Sequence, residues 1–399
     1  MSVAPPASLT PSPVPPLRRT ALHDFHRRHG AHLVPFAGWE MPLYYSSILA
    51  EHRAVRTGVG LFDVSHMGLL TLEGAHAAGL LSRRTTANVE AEEPGRVRYT
   101  FLLEATGAIV DDLLVTRLDT GTELTRSFLA IPNAGRADEI EEILRQHRGP
   151  DTTITRWNPK LSLLAVQGPG SRSLLERTLG WELGGLGFYH ARRYPFDAPG
   201  AERAGRIGAA VPSELEGAAL VSRTGYTGEL GYELLVRSED ADALAERLVA
   251  AGATPTGLGA RDSLRLEKGY LLSGQDFHRD RTPLEAGQER FVAFDHAFVG
   301  RAPLEKAAAE GPAVRLVGLE VTRDGAIPRH GSPVRVDGKP VTEATSGGFS
   351  PSLGHGIALA YLPRDVVAPD ARVTVEIRGA EVPARVVGLP FVPAPRTRT

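Results

Sequence analysis

The sequence predicts an α+β fold that ends in a small antiparallel β-barrel or sandwich. Between residues 20 and 312, short apolar or alternating segments are mixed with segments of helical spacing, without the regular strand–helix alternation of a doubly wound sheet. After residue 313 the helical spacing ends. Short apolar segments then follow one another between glycine, proline and aspartate turns, as in small β-domains.

The individual elements follow from these local patterns. In the first part, strands are predicted at Leu69–Leu72, Tyr99–Leu103, Leu113–Leu118, Leu161–Gln167 and Tyr232–Val236. Helices are predicted at Arg136–Arg148, where apolar residues recur among acidic ones, and at Ser238–Ala251, which Gly252 would terminate. In the second part, strands are predicted at Val314–Val321, Val334–Val336, Gly356–Tyr361, Val373–Ile377 and Ala384–Val387.

Four regions are expected along the chain. Residues 1–19 are proline-rich and predict a disordered tail, because such a composition buries too little surface to offset the loss of chain entropy. Residues 20–290 form the main body, and residues 291–312 a connecting segment with a helix at Ala302–Gly311. Residues 313–399 form the C-terminal β-domain.

Composition excludes several classes of protein. The 45 lysines and arginines nearly balance 47 aspartates and glutamates, for a formal net charge of −2, unlike a protein that coats nucleic acid. The absence of cysteine excludes disulfides, zinc-thiolate sites and iron–sulfur clusters. No apolar segment approaches the roughly 20 residues of a membrane span, and no basic residue precedes Arg18 as in a signal or transit peptide. A cytoplasmic location is therefore expected.

Two motifs suggest ligand sites and are better explained otherwise. The histidines at 23, 26, 29 and 32 drift around a helix and lack a pattern of acidic partners, so they are interpreted as surface and cap histidines rather than metal ligands. The segment Gly168-Pro169-Gly170 follows an apolar strand, but its proline removes an amide donor from any phosphate loop. A tight turn is predicted there.

The adjacent carboxylates Asp111 and Asp112 stand between apolar pieces of one predicted strand. Neighbouring residues of a strand point to opposite faces, so one carboxylate can face solvent while the other points inward. An inward carboxylate is costly unless it is paired, and such groups concentrate at functional sites. A functional role and a structural salt bridge both remain open from the pattern alone.

Two glycine-rich segments combine turns with charged and aromatic side chains. Arg223–Glu229 surrounds an arginine, a tyrosine and a glutamate with glycines, which allow a backbone to approach a ligand closely. Gly257–Glu267 predicts a glycine-rich turn that leads into an Asp-capped helix with Arg261 at its start, suited to a carboxylate. Each segment alone is equally well explained as a turn with charges on its rim.

Together, these segments resemble the aminomethyltransferase family, the T-proteins of the glycine cleavage system. The resemblance rests on Arg223–Glu229 and Gly257–Glu267, and also on Val34–Pro42, Gly60–Gly68, Ile109–Leu113, Thr345–Pro351 and Ile357–Tyr361, all in family order. It extends over roughly residues 20–395. It implies two interwoven α+β folate-binding domains, within residues 20–290, followed by a C-terminal β-barrel.

The resemblance also implies an activity and its partners. Such an enzyme transfers the methylene carbon of an aminomethyl group, carried on the lipoyl arm of the H-protein, to tetrahydrofolate and releases ammonia. The expected ligands are therefore tetrahydrofolate and the H-protein, with no metal, nucleic acid or membrane.

Site residues are implied by position in the family motifs. Asp112 matches the functional aspartate and is expected to be catalytic, holding the folate and favouring cationic intermediates. Glu229 is expected to accept hydrogen bonds from the pterin, and Arg261 to meet an anionic group. The other residues expected to bind the substrate or line its channel are Tyr99, Asn133, Tyr226 and Arg396.

Two alternatives remain. Folate-dependent demethylases of small methylated amines or sulfonium compounds share the fold, and the segment Glu267–Gly274 departs from the pattern of many relatives. A non-catalytic folate-binding accessory protein of iron–sulfur assembly is the other alternative. That branch carries a cysteine between Lys-Gly and Gly-Gln, and this chain has no cysteine.

Overall fold

The structure is a computed structural model that describes residues 15–118, 126–196, 217–366 and 371–393. The helices are α1 His23–Arg28, α2 Ile48–Thr57, α3 Ala77–Arg84, α4 Ala137–Gln146, α5 Ser171–Leu179, α6 Ser238–Ala250, α7 Leu258–Glu267 and α8 Arg301–Glu310. The strands of the body are β1 His32–Phe36, β2 Trp39–Tyr44, β3 Gly60–Asp63, β4 Leu70–Gly74, β5 Val97–Leu103, β6 Ile109–Arg117, β7 Arg126–Pro132, β8 Thr153–Arg156, β9 Leu161–Gln167, β10 Ala191–Pro195, β11 Ala218–Ser222, β12 Gly231–Arg237 and β13 Thr254–Pro255. The C-terminal strands are β14 Val314–Val321, β15 Pro333–Val336, β16 Lys339–Ser350, β17 His355–Pro363, β18 Arg372–Ile377 and β19 Ala380–Val387.

Besides the two-stranded sheet β1-β2, the body contains two larger sheets through which the chain passes alternately. Strand β3 lies in a six-stranded sheet of order β10-β11-β12-β9-β3-β13. The chain then leaves to form all of a five-stranded sheet, β5-β6-β7-β4-β8, before it returns with β9. Pairing is antiparallel except between β3 and β13, whose residues lie almost 200 positions apart. The predicted α+β class and the interweaving of two domains are both confirmed.

The C-terminal strands close into a barrel of order β14-β17-β16-β15-β18-β19, with β19 pairing back to β14. Of the two alternatives predicted from the strand pattern, the barrel is therefore the one observed. The twelve-residue strand β16 was not predicted, because its Ser346-Gly347-Gly348 segment lacks the apolar alternation that marks a strand. Its register slips near Ala344 and Ser346, which is typical of a β-bulge.

The helices of the body cover the sheets with their apolar faces. On α4, Ile140 and Leu144 are buried against the five-stranded sheet while the acidic residues between them face outward. On α6, Leu244 and Leu248 pack against the six-stranded sheet. A separate apolar core lies between the two sheets, and another joins the five-stranded sheet to the barrel.

The N-terminal segment is attached to the body earlier than predicted. Residues 1–14 of the predicted tail lie outside the described residues, but Arg18 pairs with Trp39 through its backbone and places its guanidinium 4.7 Å from the centre of that ring. In the described part of the chain, none of the helices is both long and apolar enough to span a membrane.

Two buried charges of α7 fasten the barrel to the body. Arg265, which is 1% exposed, donates to Asp276 at 2.8 Å and to the hydroxyl of Ser346 in the barrel at 2.9 Å. Glu267 accepts from the Ser350 hydroxyl at 2.6 Å and from the backbone of Ser352. Because each charge is fully hydrogen-bonded, it can lie in the interface without the cost of an unsatisfied ion.

A histidine expected at the surface lies in the core instead. His26 is fully buried, with Nε2 2.9 Å from Asp63 Oδ2 and Nδ1 2.8 Å from the Tyr45 hydroxyl. Asp63 also accepts from Thr20 at 2.6 Å, so α1 is held to β3 by a polar network. The interpretation of these histidines as surface and cap residues was therefore wrong for His26 and for His23, which is also buried. A helix pattern alone does not show which polar residue finds a buried partner.

Replacing Asp63 tests this network. Burial alone would raise the pKa of Asp63, but the hydrogen bond and charge of His26 hold it at about 2. A pKa below that of the unfolded chain means that the stabilisation is present above about pH 4 and lost as the pH falls towards 2. Asp63→Asn should lower the free energy of unfolding at neutral pH by about 2 kcal/mol.

Urea unfolding at a series of pH values measures this effect. The difference between wild type and variant should narrow at acid pH, where wild-type Asp63 is also protonated. Asp242→Asn, at an exposed ion pair with Arg28, is the control and should change stability little. A difference that persists unchanged to the lowest pH would contradict the assignment.

Candidate active site

A cavity of about 1810 Å³ lies where the two sheets of the body meet the barrel. Its wall is built from β6, the end of β7, the loop before β12, the cavity-facing side of α7 and the barrel segments around Phe349 and Leu389. Six of the residues expected to be functional line it: Tyr99, Asp112, Asn133, Tyr226, Glu229 and Arg261. Arg396, the seventh, lies outside the described residues.

Asp112 is presented to the cavity by β6 and is held by two short hydrogen bonds. The Tyr99 hydroxyl donates to its Oδ2 at 2.6 Å, and the Asn133 side-chain amide donates to its Oδ1 at 2.6 Å. Tyr99 comes from the neighbouring strand β5, and Asn133 follows directly on β7, which pairs with β6 on its other side. The pairing of three adjacent strands thus assembles this group.

Alternation along a regular strand predicted that one aspartate of the pair could face solvent. Asp111 does not. It is fully buried, and its Oδ1 accepts from Asn133 Nδ2 at 2.9 Å and from the Ser273 hydroxyl at 2.7 Å. The strand carries a bulge at Val110, where the register with β5 shifts. Because bulges sharpen the local twist, neighbouring side chains no longer alternate cleanly, and both carboxylates reach one amide.

The pKa values of both carboxyls are raised. For Asp111 the largest cause is burial, followed by the charge of Asp112. For Asp112 burial again raises the pKa, while the hydrogen bonds from Tyr99 and Asn133 oppose it. Burial likewise raises the pKa of the Tyr99 hydroxyl, which therefore remains a hydrogen-bond donor at physiological pH.

Glu229 lies at the cavity wall but is already engaged. Its Oε1 accepts from Arg56 Nη1 at 2.8 Å, and Arg56 in turn donates to Glu267 at 2.6 Å. Burial alone would raise the pKa of Glu267, but a hydrogen bond from His52 and further donors hold it well below its usual range. Arg56 therefore bridges two carboxylates, and the sequence pattern gave no indication of it.

Arg261 faces a second glutamate, one that the sequence analysis did not single out. Its guanidinium lies 4.6 Å from the centre of the Tyr226 ring, and within the described residues it has no hydrogen-bonding partner. Glu233 lines the cavity nearby, is 8% exposed, and accepts a hydrogen bond from Thr224. Burial raises the pKa of Glu233, and the charge of Arg261 opposes that rise. The sequence position of Glu233 could have indicated this role. Glu233 follows Glu229 by four residues and lies on β12, a strand whose alternate residues face the cavity.

The glycines of this loop make room for a protein side chain rather than only for a ligand. A Cβ on Gly225 or Gly231 would lie 2.0 or 2.3 Å from the side chain of Gln167. Gln167 ties the loop together by donating to the carbonyl of Thr224 and accepting from Thr227. Helix α7, which was expected to carry an aspartate cap, has Gly257 as its N-cap instead, and the Gly257 amide donates to Glu51 at 2.9 Å. Asp262 lies in the middle of the helix.

A neutral histidine adds hydrogen-bonding capacity to the wall. His66 is 3% exposed, lines the cavity, and its Nδ1 finds no partner among the described residues. Burial lowers its pKa to about 4, and the charge of Arg261 contributes. The ring is therefore uncharged at physiological pH and is a donor or acceptor for a bound molecule.

The arrangement is suited to cationic chemistry on an organic ligand. Asp112 supplies a fixed carboxylate that is itself buried at the cavity wall, where a developing positive charge is stabilised better than in solution. Arg261, Glu233 and His66 supply donors and acceptors for a polar heterocycle. Among the described residues no cluster of three or more His, Cys, Asp or Glu side chains is arranged to hold a metal ion.

Comparisons with known proteins place the chain among aminomethyltransferases. The family model of the GCVT N-terminal domain matches residues 22–208 and 209–296, and that of the glycine cleavage T-protein C-terminal barrel domain matches residues 315–393. An aminomethyltransferase of Prochlorococcus marinus is 42% identical over 95% of this chain and 99% of its own length. A probable aminomethyltransferase of Haloarcula marismortui is 42% identical over 94% of this chain and 99% of its own length.

The fold agrees with a solved structure as well. The crystal structure of the glycine cleavage system aminomethyltransferase T from Bartonella henselae superposes with a TM-score of 0.83 at 32% identity. The match covers 95% of this chain and 99% of that one.

The role of Arg56 can be tested independently of any substrate. Arg56→Ala leaves Glu229 and Glu267 without their shared cation, and breaking a buried pair in this way costs about 3–5 kcal/mol. Thermal and urea unfolding should therefore show a large loss of stability. Arg53→Ala, on the exposed side of the same helix, is the matched control. Equal stability of the two variants would show that Arg56 is not a structural bridge.

Proposed function

The chain belongs to the glycine cleavage T-protein family and is an aminomethyltransferase, and we propose that its substrates are aminomethylated H-protein and tetrahydrofolate. In the reaction, the carbon–sulfur and carbon–nitrogen bonds of the aminomethyl group break and two bonds from that carbon to folate nitrogens form. The two protons that these nitrogens lose go to the sulfur and to the departing ammonia.

The observation that carries the proposal is the environment of Asp112. Its carboxylate lies at the cavity wall, 8% exposed, and forms no ion pair with any described residue. An anion held by two neutral donors in this way keeps its charge available for a cation that arrives with the substrate. Positive charge develops on the transferred carbon and its nitrogen, so Asp112 stabilises the transition state more than the neutral reactants.

Arg261 and Glu233 bind the folate. The guanidinium has no hydrogen-bonding partner in the described chain, and Glu233 has acceptor capacity beyond its one hydrogen bond from Thr224. A pterin presents both amide donors and a carbonyl acceptor, which match a carboxylate and a guanidinium respectively. Glu229, to which the pterin contact was first assigned, has one oxygen engaged by Arg56, and the contact is better assigned to Glu233.

Contact with the H-protein is supported by the rim of the cavity. Six of the eight large apolar side chains that remain exposed in the described residues line this cavity: Phe36, Ile48, Leu49, Phe188, Phe349 and Leu389. Exposed apolar groups gathered at an opening are typical of a surface that another protein covers. A lipoyl arm carried by that protein would reach the cavity directly. The cytoplasmic location stays a prediction.

The decisive experiment measures methylenetetrahydrofolate formation from aminomethylated H-protein. The same assay is run with free methylated amines and sulfonium compounds as donors. Turnover with the H-protein and not with the free donors is the expected result. Turnover only with a free donor would identify the chain as a demethylase, and binding of folate without turnover of either donor would indicate an accessory protein.

Removing the charge of Asp112 should slow the reaction itself. Asp112→Asn keeps the size and the hydrogen-bonding reach of the side chain, so kcat should fall by roughly 10²–10⁴-fold. The affinity for tetrahydrofolate should fall much less, because the charge acts mainly in the transition state. Single-turnover kinetics and equilibrium binding on the same preparation separate the two effects. A loss of affinity with kcat unchanged would assign Asp112 to binding alone.

Comparing the two glutamates tests the folate contact. Glu233→Gln should weaken tetrahydrofolate binding roughly tenfold to a hundredfold, the value of a hydrogen bond to a charged group. Glu229→Gln, its matched control four residues away, should change the affinity little. Isothermal titration in the presence of EDTA measures both and also shows whether binding depends on a metal. The reverse order of the two effects would restore the pterin contact to Glu229.

A further inference from the structure

The two adjacent aspartates of β6 are joined by a single amide. Asn133 Nδ2 lies 2.9 Å from Asp111 Oδ1 and 2.6 Å from Asp112 Oδ1, and the Asn133 backbone amide donates to Asp111 Oδ2 at 3.0 Å. We propose that the two carboxyls act as one unit that holds a single proton on Asp111, so that Asp112 alone presents a negative charge to the cavity. Asp111 is then a positioning residue. The shared proton itself does not depend on the proposed function; only the effect of that proton on catalysis does.

The aspartate pair lacks a counterion among the described residues. Within the described part of the chain neither aspartate forms an ion pair, although both are at most 8% exposed. All their partners are neutral donors from Tyr99, Asn133 and Ser273. Two like charges at this separation and burial cannot both persist, and carboxyl pairs of this kind retain one proton.

The two carboxyls differ in their surroundings, and the difference places the proton on Asp111. Asp112 accepts two hydrogen bonds of 2.6 Å, lengths typical of an ionised acceptor, and faces the cavity. Asp111 is fully buried, does not line the cavity, and accepts longer bonds of 2.7–3.0 Å. Burial, followed by the charge of Asp112, raises the pKa of Asp111, which agrees with the same placement of the proton.

The other ionisable groups around the pair do not supply the missing positive charge. Asp276, whose charge raises the pKa of Asp112, is bound to Arg265 at 2.8 Å. Tyr226 lies beneath Arg261, and burial raises the pKa of both Tyr226 and Tyr99 away from neutrality. Glu233 is the other carboxyl at the cavity whose pKa burial raises, so a titration that persists in Glu233→Gln is assigned to the aspartate pair.

A single charge suits the reaction. One carboxylate balances the one positive charge that develops on the transferred group, whereas two would hold more negative charge than the transition state can balance. The neutral Asp111 fixes Asn133, and Asn133 fixes Asp112. Asp111→Asn, which imitates the protonated acid, tests this consequence through the pH dependence of kcat/KM rather than through the basal turnover.

Infrared difference spectroscopy of the free enzyme tests the shared proton without any substrate. The wild-type protein should show the C=O band of a protonated carboxylic acid that disappears as the pH rises through neutrality. The band should be absent in Asp111→Asn and unchanged in Asp24→Asn, an exposed control. Absence of the band in the wild type, or its persistence in Asp111→Asn, would overturn the proposal.

A second variant identifies the residue if Asp111→Asn does not fold. The Ser273 hydroxyl donates to Asp111 and not to Asp112, and it favours the ionised form. Ser273→Ala should therefore move the midpoint of the band to higher pH, and an unchanged midpoint would overturn the assignment to Asp111. The pH profile of kcat/KM should contain a limb at the wild-type midpoint, and Asp111→Asn should flatten that limb. The spectroscopic result needs no substrate, so failure of the proposed function would not affect it.

Discussion

The position of α7 between the two sheets and the barrel is the constraint on which the site depends. One face of this helix is buried in the core between the sheets through Ala260 and Leu264, and its last turn reaches the barrel through Arg265 and Glu267. Arg261, on the face between, is directed at the cavity. Because α7 is packed in the core on one face and hydrogen-bonded to the barrel at its last turn, its position is fixed. The distance between Arg261 and the strand that carries Asp112 is therefore set by packing rather than by a ligand.

The buried charges fall into two groups that differ in how they are compensated. Those that join parts of the fold, such as Glu267 with Arg56 and Asp63 with His26, are paired and saturated with donors. Those at the cavity, Asp112 and Arg261, form no ion pair within the described chain, although the charge of Glu233 lies near Arg261. An uncompensated buried charge costs free energy, and that cost is tolerated where a ligand later supplies the opposite charge.

Local patterns predicted much of this fold and fewer of its contacts. Strands such as Leu161–Gln167 and Val314–Val321 were predicted at their observed bounds, because continuous apolar runs between turns leave little ambiguity. Six of the residues expected from the family motifs line one cavity. The shared burial of Asp111 could not be predicted, since it depends on a bulge and on Ser273, 162 positions away. Arg56 was missed for the same reason, because its partners lie on distant elements.

The insertion of the whole five-stranded sheet between β3 and β9 has a consequence for how the protein is made. While the chain emerges from the ribosome, β3 has no neighbour until β9 has been synthesised about a hundred residues later, and its other edge waits for β13. The five-stranded sheet, by contrast, is complete at residue 156 and has its own apolar core. We therefore expect the five-stranded sheet to fold first. Once folded, it holds β3 and β9 near each other, so the loop that must close to pair them is effectively shorter. Contacts distant in sequence thus become local once their intervening segment has folded.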